Sequence, residues 1–488
     1  MNCSHLFRNL ITNYDIKIGY SRIGSSRVSL NKELRVGVLI AMSDIVSHKV
    51  CKSLKIRICP SEEQRIILNK TFGCCRVVYN ERLTEHINYS DTYKDNPNKP
   101  KFKGTLPKEL REKKYPWLGE DTIAEALIQS QRNCEQAYSN FFKSRKGQRK
   151  GRKAGRPKYK SKKSHKDSFT LYQIRKENLI DFNSRTVVIP KLRNTKFRIA
   201  GSSLKSKWIE WFLKATPLSM TISRNACEEY YCSIAFERRQ DLEQNVRLSN
   251  SVGLDFSPGS LYIDSNNNSA PNYKPYKQLN KKKLTKLQRS LARKQKGSNN
   301  REKARVKLAR FEKHISDSRK DYIEKETLRL VRTYDVIGIE DLNLQGMMKF
   351  SRNAKNYVDT SWYTFTQKLI WKAQFNNCII AKSDKFYPSS RTCNHCGYIN
   401  HSLTLKDRKW ICPNCGSEII RDENAGKNLR DNAINLIVDE IISTLGMERT
   451  EVMSMEGMEA TYCNGILSGV SYEVENQGSD ALGRNLLL

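Results

Sequence analysis

The chain has 488 residues and a formal net charge of +36 at neutral pH, with 87 Lys and Arg against 51 Asp and Glu. Hydrophobic residues at 38% and aromatics at 9% provide for a packed core, so this is not a disordered polycation, and the length suggests about three domains. No apolar run approaches the ~20 residues of a membrane span, and 14 cysteines are too dilute for a secreted disulfide scaffold. A reducing, intracellular compartment without a membrane partner is expected, and the basicity points to a polyanion.

Residues 1–49 are expected to be an N-terminal extension. The apolar run at 36–42, VGVLIAM, is too short and too far from the N-terminus for a signal peptide. Translation can begin at Met42, with an ordered extension as the other reading. Residues 52–58, KSLKIRI, alternate as a half-buried strand does. Ser61 follows as a helix N-cap with Gln64 at the capping-box position, and Ile67, Phe72 and Val78 continue at roughly helical spacing. A second helix is expected over 121–142, with Ile123, Ala126, Leu127, Ala137, Phe141 and Phe142 as its buried stripe. Adjacent Cys74 and Cys75 read as small core residues.

From 143 to 166 thirteen of 24 residues are Lys or Arg and none is acidic, with glycines at 147, 151 and 155 and Pro157. Such a stretch is a flexible basic loop rather than a charged helix face. Its Arg149, Lys150, Arg152, Lys153, Arg156, Lys158, Lys160, Lys162 and Lys163 are candidate nucleic-acid contacts. Short strand-like runs at 186–189, 196–200 and 230–236 then suggest a small β-barrel over 168–250. A second basic zone, 281–320, has 16 basic and three acidic residues. Leu308, Phe311, Ile315 and Tyr322 give it a helical stripe, and Arg293, Lys294, Lys296, Arg301 and Arg305 are further candidate contacts. Residues 441–488 carry seven acids and two bases; a disordered acidic tail is expected there.

Cys393, Cys396, Cys412 and Cys415 form CxxC-x15-CxxC, each pair followed by Gly. Two such knuckles supply the four thiolates that structural Zn²⁺ prefers, with no open position for chemistry, so His395 and His401 are read as non-ligands. Three acids stand out for a different reason. Asp255 interrupts an apolar strand, VGLDF; Glu340 and Asp341 end another, DVIGIEDL; and Asp422 opens a helix directly after the cysteines. Alternation lets only one of Glu340 and Asp341 face a given site. Carboxylates gathered in this way repel unless hard cations such as Mg²⁺ join them, the ligand set of a two-metal phosphodiesterase.

GLDFS at 253–257, GIEDLNLQGM at 338–347, FYPSSRTCNHCGY at 386–398 and WICPNCGSEIIRDENAGKN at 410–428 resemble transposon-encoded TnpB proteins of the insertion-sequence OrfB family. KIRICPSEEQ and TFGCCRVVYN within 55–80, and RPKYKSKKSHKDSFTL at 156–171, are similar too, so the resemblance covers about residues 50–440. Compact type V CRISPR effectors share that nuclease core. The resemblance implies an α/β multidomain fold: an RNase H-like RuvC nuclease domain (251–388 and 422–440) with an inserted four-cysteine zinc ribbon (389–421), a wedge-like β-barrel (50–60 and 168–250) and a helical recognition domain (61–167). It selects Glu340 over Asp341, leaves Asp341 to cap the next loop, and makes Asp255, Glu340 and Asp422 catalytic ligands of Mg²⁺ or Mn²⁺. Zn²⁺ is then structural and a guide RNA is the second cofactor. The implied activity is RNA-guided cleavage of double-stranded DNA, with the guide derived from the transposon end and the displaced single strand also bound. A monomer with its RNA, in a prokaryotic cytoplasm and nucleoid-associated, is expected. Gly426 stands where the family usually has Ala. A DNA transposase and a nuclease-inactive RNA-guided repressor are the rival readings.

Overall fold

The computed structural model describes residues 49–473 and 484–487, apart from 94–97, 99, 150–152, 200–205, 241–242, 345, 348–359, 405, 447, 454–455 and 464–465. The extension before residue 49, Met42, and the two candidate contacts Lys150 and Arg152 therefore lie outside the described residues.

β1 (Lys49–Ile58) turns Leu54, Ile56 and Ile58 inward, as the alternating run predicts. The helix after it, α1 (Glu62–Thr92), starts at the expected capping box: the Gln64 amide N–H donates to Ser61 Oγ and the Ser61 N–H donates to Gln64 Oε1. Two more helices follow, α2 (Pro107–Lys113) and α3 (Ala124–Arg145). In α3 the buried stripe ends at Tyr138; Phe142 was expected on it but is 49% exposed, because the last turn overhangs that stripe. The basic loop after α3 is less free than its composition suggests. Asn80 of α1 accepts from the Lys160 backbone N–H at 2.8 Å and donates to its carbonyl at 3.0 Å, fixing the loop along the helix.

The chain then adds β2 (Asp167–Leu171), β3 (Ile180–Asp181), β4 (Thr186–Ile189), β5 (Arg193–Arg198), β6 (Thr216–Arg224) and β7 (Tyr230–Arg239). They form one seven-stranded sheet in the order β2-β6-β7-β1-β5-β4-β3. β1 runs antiparallel to β7 along its whole length, from Lys49 opposite Arg239 to Ile58 opposite Tyr230. The expected barrel is thus an open half-barrel among the described residues, and it shares a single core with α1 and α3 through Phe72, Leu127, Phe169, Ile222 and Ile234.

A second sheet holds β9 (Ser251–Ser257), β10 (Leu261–Asp264), β11 (Val336–Glu340) and β12 (Ile379–Ser383) in the order β10-β9-β11-β12. β9, β11 and β12 are mutually parallel; the apolar runs of the central β9 and β11 are buried on both faces, while β12 at the edge is half-buried. After α4 (Lys281–Ala292), one face packs on the long α5 (Asn299–Thr333) and on α6 (Trp362–Ala373), through Val252, Leu254, Ile337, Ile339, Leu330 and Phe365. The opposite face receives α7 (Arg421–Leu445). There the backbones approach so closely that a Cβ on Gly253 would lie 1.9 Å from the Gly426 carbonyl oxygen, and one on Gly338 would lie 2.1 Å from that of Leu429. Gly426 is itself wedged against the Asp264–Ser265 backbone, with a Cβ contact of 2.8 Å. Its substitution for the family's usual Ala therefore matches a seat that has no room for a methyl group.

The acidic C-terminal segment departs from expectation. α7 continues to Leu445, and β15 (Glu456–Cys463) and β16 (Ile466–Glu473) form a hairpin, with β13 (Lys409–Ile411) and β14 (Glu418–Ile420) preceding them in the cysteine ribbon. β15 pairs with β8 (Glu243–Arg247), placing Ala460 opposite Val246, both fully buried. Alternating buried Met458, Ala460 and Tyr462 give the segment a packed face that its charge obscured.

Candidate active site and four-cysteine cluster

Strand alternation puts the acids where the glycines already point. Gly253 and Asp255 share one face of β9, and Gly338 and Glu340 share the same face of β11, the face on which α7 sits. β9 and β11 are in register through Leu254 opposite Ile339, so Asp255 and Glu340 follow side by side at the carboxyl ends of two adjacent parallel strands. Asp422 arrives from the first turn of α7. Asp341, the residue after β11, is exposed and lies 3.8 Å from Lys382 in an ion pair. The glycine two residues before each strand acid is a sequence signal that favours Glu340 without any resemblance.

The three acids interact electrostatically. Burial, then the negative charges of Glu340 and Asp422, push the Asp255 carboxyl well above the usual carboxylate range. Glu340 is also raised, mainly by burial, against the opposing effects of a hydrogen bond donated by Ser389 Oγ and of the Arg421 charge. Asp422 is drawn aside. Arg408 Nη1 donates to its two carboxylate oxygens at 3.0 and 3.2 Å, and the three acids do not converge as the cysteines do. Sequence reasoning missed Ser389 and Arg408: Ser389 lies within the FYPSSRTCNHCGY segment but ahead of its thiols, and Arg408 lies outside every quoted motif.

The cysteines do converge. Their four sulfurs lie within 4.8 Å of one another, with Cys393–Cys415 at 3.7 Å and Cys396–Cys412 at 3.5 Å. A tetrahedron of ~2.3 Å Zn–S bonds has edges of about 3.8 Å, so the donor set fits Zn²⁺. Gly397 and Gly416 have φ of 75° and 70°, and each donates its N–H to the carbonyl of the first cysteine of its knuckle. That left-handed turn is why glycine follows each CxxC. Trp410, Leu403 and Ile419 complete a small core beside Cys393 and Cys412.

Two amides join this ribbon to the acid face. Asn424 donates to the Thr392 carbonyl at 2.7 Å and accepts from the Asn394 N–H at 2.9 Å. One turn along α7, Asn428 donates to the carbonyls of Ser389 and Thr392, both at 2.7 Å. Both asparagines are buried. The helix that carries Asp422 and the loop that presents Ser389 to Glu340 are thus fixed to the first cysteine knuckle.

The predicted basic contacts divide. Arg149, Lys153, Arg156, Lys158, Lys160, Lys162, Lys163, Arg293 and Lys296 are exposed, and Lys294 is half-buried. Arg301 and Arg305 instead serve the fold. Arg301 donates to the Leu291 and Lys294 carbonyls, while Arg305 pairs with Glu302 and donates to the Ala226 carbonyl.

Three family models match the chain in order. They are a helix-turn-helix domain of the OrfB_IS605 family at 50–94, the OrfB_IS605 "probable transposase" at 233–351, and the Cas12f1-like TNB domain at 362–429. The resemblance to the TnpB (OrfB) family is borne out. A putative RNA-guided DNA endonuclease from Streptomyces pristinaespiralis is 28% identical to this TnpB-like chain, across 78% of it and 89% of the relative. InsQ from Escherichia coli K12, which carries the same description, is 27% identical over 78% and 92%. Among solved structures, a Cas12f1–sgRNA–target DNA complex matches with a TM-score of 0.43 and 13% identity, covering 78% of this chain and 99% of that one.

Proposed function

We propose that the chain is the RNA-guided DNA endonuclease of a transposable element and that Asp255, Glu340 and Asp422 form its RuvC-type nuclease site. The buried carboxylate pair at the ends of two parallel strands carries this reading. Two acids held side by side at positions that raise their pKa destabilise the fold unless they serve a site. The names of the two long relatives supply the substrate class and the guide. The half-barrel is assigned as the wedge domain, α1 to α3 as the recognition domain, and the exposed lysines and arginines of both basic zones as contacts to nucleic-acid backbone.

Three oxygen-donor acids beside a cleavable phosphodiester suit Mg²⁺ or Mn²⁺, which would neutralise charge on the attacked phosphate. The chain's own part is positional. Ser389 orients Glu340, the two strand ends fix Asp255 beside it, and the asparagine clamp sets the helix that brings Asp422. Zn²⁺ at the cysteines would stabilise that clamp and take no part in chemistry.

Sequencing the RNA that copurifies with the protein, then reprogramming it against a chosen duplex, tests the assignment. Cleavage that follows the guide and vanishes in Asp255→Ala supports it. Strand-transfer products from transposon ends without RNA would establish the transposase reading instead.

A further inference from the structure

A cavity of about 480 Å³ opens beside α1, lined by Lys70, Gly73, Cys74 and Val77 of α1, by Trp117 and by Lys160 of the basic loop. Gly73 sits in the interior of a 31-residue helix, where glycine is disfavoured relative to alanine. No neighbour requires it: a Cβ there would meet only Arg76 Nη2, at 4.0 Å. What the glycine does is leave space, and that space is the cavity. Its walls match one kind of ligand. Trp117 keeps 49% of its surface exposed and offers an indole face, Cys74 and Val77 are apolar, and Glu120 adds an acceptor. Lys70 stands at the wall, paired with Asp121 at 3.1 Å in an exposed ion pair that a phosphate can displace, while Lys160 contributes its clamped backbone and stem and turns its ammonium onto the Tyr79 ring, 4.0 Å away.

We infer that this cavity takes a single unstacked nucleotide, its base against Trp117 in the space above Gly73 and its phosphate at the rim near Lys70. A flat aromatic group with an anionic edge fits an indole with an ammonium group at the rim, and a chain of charge +36 brings polynucleotide to its surface. The volume falls in the range of small-ligand sites. The inference deepens the nucleic-acid reading of the chain but does not depend on the nuclease acids.

Gly73→Leu fills the cavity without removing any contact, and Trp117→Ala removes the stacking face. Fluorescently labelled five-residue oligonucleotides, one set RNA and one set DNA, are titrated against the full chain by anisotropy. Both variants are expected to lose roughly tenfold or more in affinity for the set that occupies the cavity, with unchanged circular-dichroism melting. The set that responds identifies the strand. Unchanged affinity of both variants for both sets overturns the inference. Because the readout is binding, a chain that proves to be no nuclease would still show the cavity effect, and an active guided nuclease without it would refute the cavity alone.

Discussion

The four cysteines and the three acids are assembled in opposite ways. The thiols lie within residues 393–415, their geometry is set by two glycine-closed turns, and they converge to within 4.8 Å. The acids come from residues 255, 340 and 422, meet only because a sheet and a helix approach backbone to backbone, and stay apart. Local turns bring the thiols together, whereas the buried Asp255 and Glu340 carboxylates repel, and Asp422 pairs with an arginine of the ribbon.

The largest expected effect follows from removing the acid most affected by this repulsion. Asp255→Ala should reduce guided cleavage by about three orders of magnitude or more, the loss of several kcal/mol of transition-state stabilisation, while RNA binding persists. Asp255→Asn should do the same to cleavage yet stabilise the fold. The folded-state pKa of Asp255 lies above its unfolded value, so in that window the folded state binds more protons and stability falls as pH rises through it. Thermal melts of the zinc-loaded protein without added Mg²⁺ at pH 5 and pH 8 should show a steeper fall in the parent than in the variant. Identical slopes in the two would mean that folding does not raise the Asp255 carboxyl.

Next in size is loss of zinc. Structural zinc in small ribbons supplies on the order of 10 kcal/mol of folding free energy, so Cys412→Ser or a strong chelator should unfold the ribbon. Because Asn424 and Asn428 bind its first knuckle, cleavage should fall with it, although no cysteine touches the acid face. Metal content by mass spectrometry and cleavage are measured on the same sample; full activity without zinc would make the two sites independent.

A smaller and more selective break is Asn428→Ala. It strips two 2.7 Å hydrogen bonds from buried carbonyls, at about 2–4 kcal/mol of docking energy. Zinc content should stay at one per chain while cleavage falls and melting shifts down. If zinc and cleavage are lost together, ribbon and helix are one cooperative unit rather than two joined parts.

What the sequence disclosed follows the same division. The four clustered cysteines were legible because spacing alone brings them out, and the strand acids because apolar runs ending in acid are uncommon. Glu340 needed the resemblance, although Gly338 two residues earlier carries the same information. Ser389, Asn424, Asn428 and Arg408 were not legible: each acts through a tertiary hydrogen bond to a partner 14 to 49 residues away, and polar residues of these types stand everywhere along a basic chain. The C-terminal hairpin was hidden because net charge outweighed its alternating buried positions, and the internal roles of Arg301 and Arg305 were hidden because charge counting does not distinguish a structural arginine from a contact.

Arg408 offers the finest test, since it connects the two regions through one ion pair. Its side chain is 70% exposed against 25% for Asp422, so the pair is worth no more than about 1 kcal/mol and weakens with salt. Arg408→Ala removes the competitor that turns Asp422 away from Asp255 and Glu340. The divalent-cation concentration giving half-maximal cleavage should therefore fall, roughly two- to fivefold at low salt, and the gap should close near about 0.5 M salt as screening weakens the parent pair. Zinc content and melting should not change, because the arginine contributes to neither core. The opposite result, slower cleavage with a raised KM for DNA and an unchanged cation requirement, would recast Arg408 as a contact to the phosphate backbone that rests on Asp422 when no nucleic acid is bound. In the first case the ribbon would, through a single guanidinium, bias how closely the third acid approaches the other two.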